Sequence, residues 1–544
     1  MRTVPEIAAA LGLPAEAVHP AGAAVGKVPV AVVRELAATR RRGRLVLVTG
    51  MTPTRHGEGK TVTAIGLVDA LVARGRTAVV GLRQPSLGPV FGVKGGATGG
   101  GRATVEPSTH INLGFTGDIH AVAAAHNLLA SLVDNHLYHG NALDIERSRV
   151  VLPRTLDIED RALRHVVTGT GNDPRMPARE GSFVIAAASE VMAILALAKD
   201  YPDLKDRLGR ILVGFRGNGE PLHASTLRAE GAMAAVLRDA LEPNVVQTAG
   251  GSPAIVHAGP FANIAHGTCS RLAIELALAT AEYGIVEAGF STELGAEKFV
   301  DIVTPVLGID VDAAVLVVTL RALRVHGGAS DDASATANVA ATQRGLANLE
   351  QHLANMDALG IPTVVALNRF PGDSAEEIEA VTEFGRAHGT AVVESRAFEQ
   401  GGPGCLQLAE AVEGIAALGR HSRPIVAPDA SPVDQVRTIV TRLYGGSGVS
   451  LLAEAERDLD ELRRIGETAG PVCVAKTQLS LSDDPHRIGR PEGFVVEVHR
   501  FTRSAGAGFT VAHLGSIETM PGLPTQPASE RIDVLPDGRI VGLI

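Results

Sequence analysis

At 544 residues the chain has room for about three or four domains, or for one large α/β body with appendages, and is too long for a single small module. With 13 Phe, 4 Tyr and no Trp against 61 Gly and 30 Pro, the core must be aliphatic, and 45% apolar with 20% charged residues excludes both collagen-like repetition and wholesale disorder. A net charge of −10 argues against a general nucleic-acid or acidic-membrane binder, so neither partner is expected.

The N-terminus has no charged lead followed by an apolar core, and no stretch approaches 18 uninterrupted apolar residues, so export and membrane spanning are not expected. The basic run Arg40 to Arg44 reads as a solvated helix end beside a strand. Next come strand, loop and helix: RLVLVTG, then MTPTRHGEG, then KTVTAIGLVDALVARG. A phosphate loop needs small residues that let backbone N–H groups turn toward oxygens, a Lys to meet charge and a hydroxyl for magnesium. Gly57, Gly59, Lys60 and Thr61 supply these, although Thr54 stands where the consensus has its first Gly. The segment Thr54 to Thr61, Glu58 included, is the expected nucleotide site. The nearest approach to a guanine-reading tetrad, Asn368 to Pro371, lacks both Lys and Asp, so ATP is preferred over GTP.

Beyond the next strand lies a glycine-rich stretch, GLRQPSLGPVFGVKGGATGGGR, with Arg83, Lys94 and Arg102. Glycines let backbone approach a ligand closely, and Arg offers a planar fork to a carboxylate or phosphate. An anion site and a mobile surface loop are both open readings of this composition. Helices are expected over Thr116 to His139, Ser334 to Met356 and Ala375 to His388. His110, His120, His126, His136 and His139 cluster near Asp118, but no HExxH accompanies them, and surface or capping roles are expected. His266 in FANIAHG suits a substrate contact or a structural role equally. Short β-branched runs (TAVVGL, ILVGF, GIVEAG, AVLVVTL, PTVVAL, TAVVES) alternate with helical stretches, which reads as βα units on a parallel sheet covered on both faces. Cys269, Cys405 and Cys473 are odd in number and widely spaced, which suits a reducing cytoplasm rather than a disulfide framework or zinc site. From Lys476 the texture turns to strands, FVVEVHRFT and FTVAHLG, closing on a hairpin turn at Asp537-Gly538.

TPTRHGEGKT, RQPSLGPVFGVKGG, INLGFTGDIHA, HNLLASLVDNH, GPFANIAHG, EAGFSTELGAEKF, RALRVHGG, KTQLSLSDD and TMPGLP occur in this order. Together they resemble the formate–tetrahydrofolate ligase family, from about residue 40 to the end. The resemblance implies a P-loop NTPase-like parallel sheet flanked by helices (1-345, nucleotide and formyl phosphate), a second α/β domain contributing to the folate site (346-475), and a small β-rich domain (476-544). It implies that formate, ATP with magnesium, and tetrahydrofolate are joined to 10-formyltetrahydrofolate through formyl phosphate, in a cytoplasmic homotetramer activated by a monovalent cation, potassium or ammonium.

In that family the Lys60 position would neutralise the β/γ-phosphates, Thr61 would hold magnesium, and Arg83 would bind formyl phosphate. Asp118 would work as general base or orienting group. Phe290, Phe370 and Phe398 match the aromatic residues that stack on the pterin, the last being commonly Trp. Two further departures are Gln84, where the family has an acid associated with the monovalent cation, and Gly114, where it has His. Two other readings compete: a P-loop ligase activating another small carboxylate, and a non-enzymatic ATP switch, for which Arg55 stands five residues before Lys60.

Overall fold

The computed structural model describes every residue except Lys94, Asn172, Pro177, Ser516 and Ile544. Lys94, one of the three cations of the glycine-rich stretch, therefore lies outside the described residues. Strands β1 (His19–Gly22), β2 (Val25–Lys27), β3 (Arg44–Gly50), β4 (Ala78–Leu82), β5 (Asn244–Thr248), β6 (Pro253–Val256), β7 (Tyr283–Glu287), β8 (Ala313–Thr319), β9 (Thr363–Asn368) and β10 (Val392–Ser395) form one sheet. Their spatial order is β1-β2-β5-β6-β4-β7-β3-β8-β9-β10. Gly99–Gly100 and Ala103–Glu106 branch from β5 and complete 12 strands. From β6 to β10 all neighbours are parallel, while β1, β2 and β5 extend one edge antiparallel.

The unbroken apolar character of the central strands has the expected cause. Leu45, Leu47, Val79 and Val286 pack into the core on one face, and Val46, Val48, Val80 and Ile285 into the core on the other. A strand whose side chains alternate between two buried faces has no position for a polar residue along its length. Helix α1 (Lys60–Ala73) covers the second face with Ala64, Ile65, Leu67, Val68 and Leu71.

Strand order places the site. The chain passes from β3 over β7's position to β4, returns through β6 to β7, and then crosses β3 to β8. The direction of winding reverses beside β3, and such a switch point opens a crevice at the carboxyl ends of the strands.

The expected helices are α2 (Asp118–Tyr138), α4 (Val339–Ala358) and α5 (Ala375–Ala387), with α3 (Leu320–His326) following β8. Beyond β7, Thr292–Ala296 and Phe299–Val303 wind as buried π-helix, a rare geometry associated with functional sites. A second, four-stranded sheet contains β11 (Gly448–Leu451), β12 (Val472–Ala475), β13 (Val495–Ser504) and β14 (Phe509–Leu514) in the order β11-β13-β14-β12. The last hairpin pairs Asp533–Val534 with Ile540–Val541 across the Asp537-Gly538 turn.

Sheet continuity differs from the boundaries expected at 345 and 475. β9 and β10 continue the large sheet, and β11 and β12 pair with β13 and β14. Hydrogen-bonded pairing groups these strands, whereas a change of sequence texture marks only where one connection ends. Among the described residues no helix is long and apolar enough to cross a membrane, and the three cysteines are free and buried.

Candidate active site

The expected site residues, Asp118 apart, follow the carboxyl ends of strands in the parallel part of the sheet. Lys60 and Thr61 open α1 after β3, Arg83 follows β4, Phe290 follows β7, Phe370 follows β9 and Phe398 follows β10.

The 51–59 loop is braced from β8 and β9. The Glu58 carboxylate accepts from the Thr54 N–H at 2.7 Å, the Thr54 hydroxyl at 3.0 Å and the Thr319 hydroxyl at 2.5 Å. Asn368 Nδ2 donates to the Glu58 carbonyl at 3.0 Å. Glu58 and Thr54 thus act on the shape of the loop, with their side chains turned to each other. Gly57 and Gly59 both have φ of +75°, and a Cβ on Gly59 would collide with the Asn368 amide. Only glycine fits there, because left-handed backbone and close approach coincide.

At the head of α1 the Thr61 hydroxyl donates to Glu287 Oε1 at 2.7 Å. Glu287 ends β7, and its carboxylate faces Lys60, Arg83 and Thr61 together. Burial pushes the Lys60 ammonium below its ordinary value, opposed by Glu287 and Glu58, with Arg83 adding to the depression. Burial likewise lowers Arg83, opposed by Glu287, while its Nη1 donates to the Pro260 carbonyl at 3.2 Å. Two partly buried cations thus share the Glu287 carboxylate, the kind of charged cluster that accumulates at functional sites.

Gln84 follows Arg83 in the chain, and His266 feels the Arg83 charge. Both side-chain polar atoms of Gln84, both ring nitrogens of His266 and the Ser291 hydroxyl are buried with no hydrogen-bond partner among the described residues. Each costs about 1–3 kcal/mol unless something pairs with it. His266 is pushed down to about 3 by burial, with Arg83, Lys298 and Arg207 adding repulsion, so it is neutral and keeps one N–H to donate. Thr61 and Glu287 present hydroxyl and carboxylate oxygens at hydrogen-bond separation, a donor set suited to magnesium. Among the described residues no group of three or more His, Cys, Asp and Glu could hold a metal ion.

The aromatic candidates are distinctive by exposure. Phe370 and Phe398 are 44% and 54% exposed, the two most exposed of the 13 phenylalanines, so neither belongs to the core. The Phe370 N–H donates to Asp373 at 2.8 Å, and Asp373 lies 3.5 Å from the buried Arg324. The Phe398 carbonyl accepts from the Arg102 N–H at 2.8 Å, and its ring would lie 3.1 Å from a Cβ on Gly100. Phe290 is partly buried with φ of +58°, a backbone strain of about 1–3 kcal/mol that fixed surroundings must maintain.

The glycine-rich stretch is held in place. Leu87 N–H and Ser86 hydroxyl bind Asp157 at 3.0 and 2.6 Å, and the Gly96 N–H donates to the Leu543 carbonyl at 2.6 Å. Arg102 is exposed. Gly114 has φ of +90° and His120 Nε2 would lie 3.1 Å from its Cβ, so this chain gives the space to His120. His126 is buried against the Pro153 carbonyl at 2.8 Å, and His136 accepts from the Leu143 N–H at 2.9 Å.

Asp118 is placed differently. Its carboxylate takes Lys27 Nζ at 2.9 Å and Asn244 Nδ2 at 2.6 Å, beside β2 and β5 and two strand spacings, about 10 Å, from β4. Glu287 is the residue that sequence reasoning missed. Its signal was an acid closing the otherwise apolar strand YGIVE, a position where a buried carboxylate needs cationic company.

The family model described as formate–tetrahydrofolate ligase matches residues 1–544. A formate–tetrahydrofolate ligase of Thermus thermophilus is 50% identical over 540 residues, covering 99% of this chain and 98% of the relative. One from Myxococcus xanthus is 47% identical over 548 residues, covering 100% and 99%. With the whole length matched and the charged cluster at the strand ends, the chain belongs to the formate–tetrahydrofolate ligase family.

Proposed function

We propose that the strand-end cluster activates formate with ATP and passes the formyl group to tetrahydrofolate, giving 10-formyltetrahydrofolate, ADP and phosphate. The observation that carries this reading is Glu287 facing Lys60, Arg83 and Thr61 in one partly buried crevice. ATP phosphates lie along the 51–59 loop and the first turn of α1, where unpaired N–H groups point outward. Lys60 meets the β/γ-phosphates. Thr61 and Glu287 would hold magnesium, which would supply positive charge beside the phosphates.

Formate carries its negative charge to Arg83. One formate oxygen attacks the γ-phosphorus, the bond to the β-phosphate oxygen breaks, and ADP leaves. The resulting mixed anhydride has phosphate as its leaving group, so the folate amine displaces phosphate from the formyl carbon and releases its proton. Most of the barrier is lowered by alignment and by fixed positive charge, which Lys60 and Arg83 supply without reorganising. His266 offers a neutral N–H to the same anion. Phe290, Phe370 and Phe398 form the pterin slot. Asp118, already holding two donors, suits an orienting part.

Gln84 supports a weakened response to monovalent cations, because a neutral amide replaces a carboxylate in a buried position. Homotetramer assembly and a cytoplasmic location are carried by the family resemblance, and sedimentation measures the first. The test is ATP-, formate- and tetrahydrofolate-dependent formation of 10-formyltetrahydrofolate, with Arg83→Ser beside the wild type. Arg83→Ser should impair formate use more than ATP binding. Equal loss of both, or ADP release with other small carboxylic acids at the same rate, overturns the assignment.

A further inference from the structure

Thr52, two residues past β3, is fully buried at the root of the 51–59 loop. Its N–H donates to His352 Nε2 at 2.7 Å, and its carbonyl accepts from His326 Nε2 at 2.9 Å. A backbone N–H only donates and a carbonyl only accepts, so both tautomers are determined. His352 carries its proton on Nδ1, and His326 on Nε2.

The remaining ring nitrogens agree with this assignment. His352 Nδ1 lies 2.7 Å from the Thr292 hydroxyl at the start of the π-helix. His326 Nδ1 accepts from the Gly489 N–H at 3.3 Å. Asn348, one turn before His352 on α4, donates to the Thr52 hydroxyl at 3.0 Å, and Asn355 donates to the Thr292 hydroxyl at 3.1 Å. Burial pushes His352 down to about 4 and lowers His326 as well, so both rings are neutral.

These contacts fix the peptide planes on both sides of Thr52. Pro53 follows, with its φ locked by the ring and no N–H of its own, so orientation set at Thr52 passes stiffly to Thr54 and the loop. Neither histidine is among the residues that face Lys60 or Arg83 most strongly. They act on the loop from behind, one from the end of α3 and one from the middle of α4.

We propose that His326 and His352 are positioning residues that hold Thr52 from both sides and thereby set the 51–59 loop for the nucleotide phosphates. This rests on the reading of that loop as the ATP site. It also links the loop to residue Gly489, between β12 and β13, so the small sheet and the nucleotide site share one hydrogen-bonded chain.

Side-chain reach gives the test. A Gln amide occupies the place of an imidazole Nε2, and an Asn amide the place of Nδ1. His352→Gln and His326→Gln keep the bond to Thr52, whereas His352→Asn and His326→Asn keep polarity and the outer bond but lose Thr52. Steady-state KM for ATP, formate and tetrahydrofolate is measured for all four, with melting temperature. The Asn variants should raise the KM for ATP by roughly 2- to 12-fold, the worth of one net hydrogen bond. Their other two KM values should stay within about twofold, and the Gln variants should stay near wild type throughout.

Asn variants with unchanged ATP kinetics overturn the proposal. So do Gln and Asn variants that lose all three substrates alike in step with their melting temperatures, which marks a purely structural role. If one Asn variant does not fold, the other carries the test alone, and an unchanged KM for ATP in it counts against the proposal. Wild-type turnover that did not depend on ATP would instead remove the nucleotide reading itself.

Discussion

Glu287→Gln isolates the carboxylate whose charge acts on both Lys60 and Arg83. The substitution keeps shape and leaves an amide oxygen able to accept from the Thr61 hydroxyl, now 2.7 Å from Oε1. What it removes is the negative charge that opposes the burial of both Lys60 and Arg83. The Thr61 hydroxyl then bonds a neutral instead of a charged acceptor, a loss of about 1–1.5 kcal/mol, so kcat/KM for ATP should fall roughly 5- to 12-fold. The sign of the pH effect follows from the same charge. Glu287 raises the Lys60 value against the downward pull of burial, so its loss lowers that value further, and the alkaline limb of the kcat/KM profile for ATP should move to lower pH. Initial rates across pH 6 to 10, with circular dichroism to check the fold, make the measurement. Wild-type ATP kinetics together with an unmoved alkaline limb in a folded variant would refute the idea that Glu287 organises the site.

Phe398→Ala should raise the KM for tetrahydrofolate about 2- to 12-fold, from loss of about 0.5–1.5 kcal/mol of ring stacking, with ATP kinetics and melting temperature unchanged because the ring is largely exposed. Unaltered folate kinetics would take Phe398 out of the slot. Gln84→Glu should restore or strengthen activation by potassium, read as the ratio of rates with potassium and with an organic cation; an identical ratio in both proteins counts against the altered-site reading. Glu190 is raised to about 7 by burial although it accepts from the Gly506 N–H at 2.7 Å. Its stability contribution is therefore present below the unfolded value near 4.5 and is lost as pH rises through 7. Glu190→Gln, which mimics the protonated form, should be about 3 kcal/mol more stable than wild type in urea at pH 8 and close to it at pH 4. No gain at pH 8 would contradict the shift.

What the chain encodes locally could be read from the sequence alone. Strand, loop and helix around Lys60 rest on β-branched runs, turn glycines and an apolar helix face, each contained within a few residues. Motifs in order identified the family. Tertiary structure decided who meets whom. Inserting β7 between β3 and β4 brings Glu287 to Lys60 and Arg83, although more than 200 residues separate it from either. Asp118 likewise owes its partners to the fold: the antiparallel edge brings Lys27 and Asn244 to its carboxylate. The pairing of His326 and His352 about Thr52 also depends on two helices arriving from different connections. Short-range periodicity carries no information about strand order, and strand order determines which side chains share the crevice.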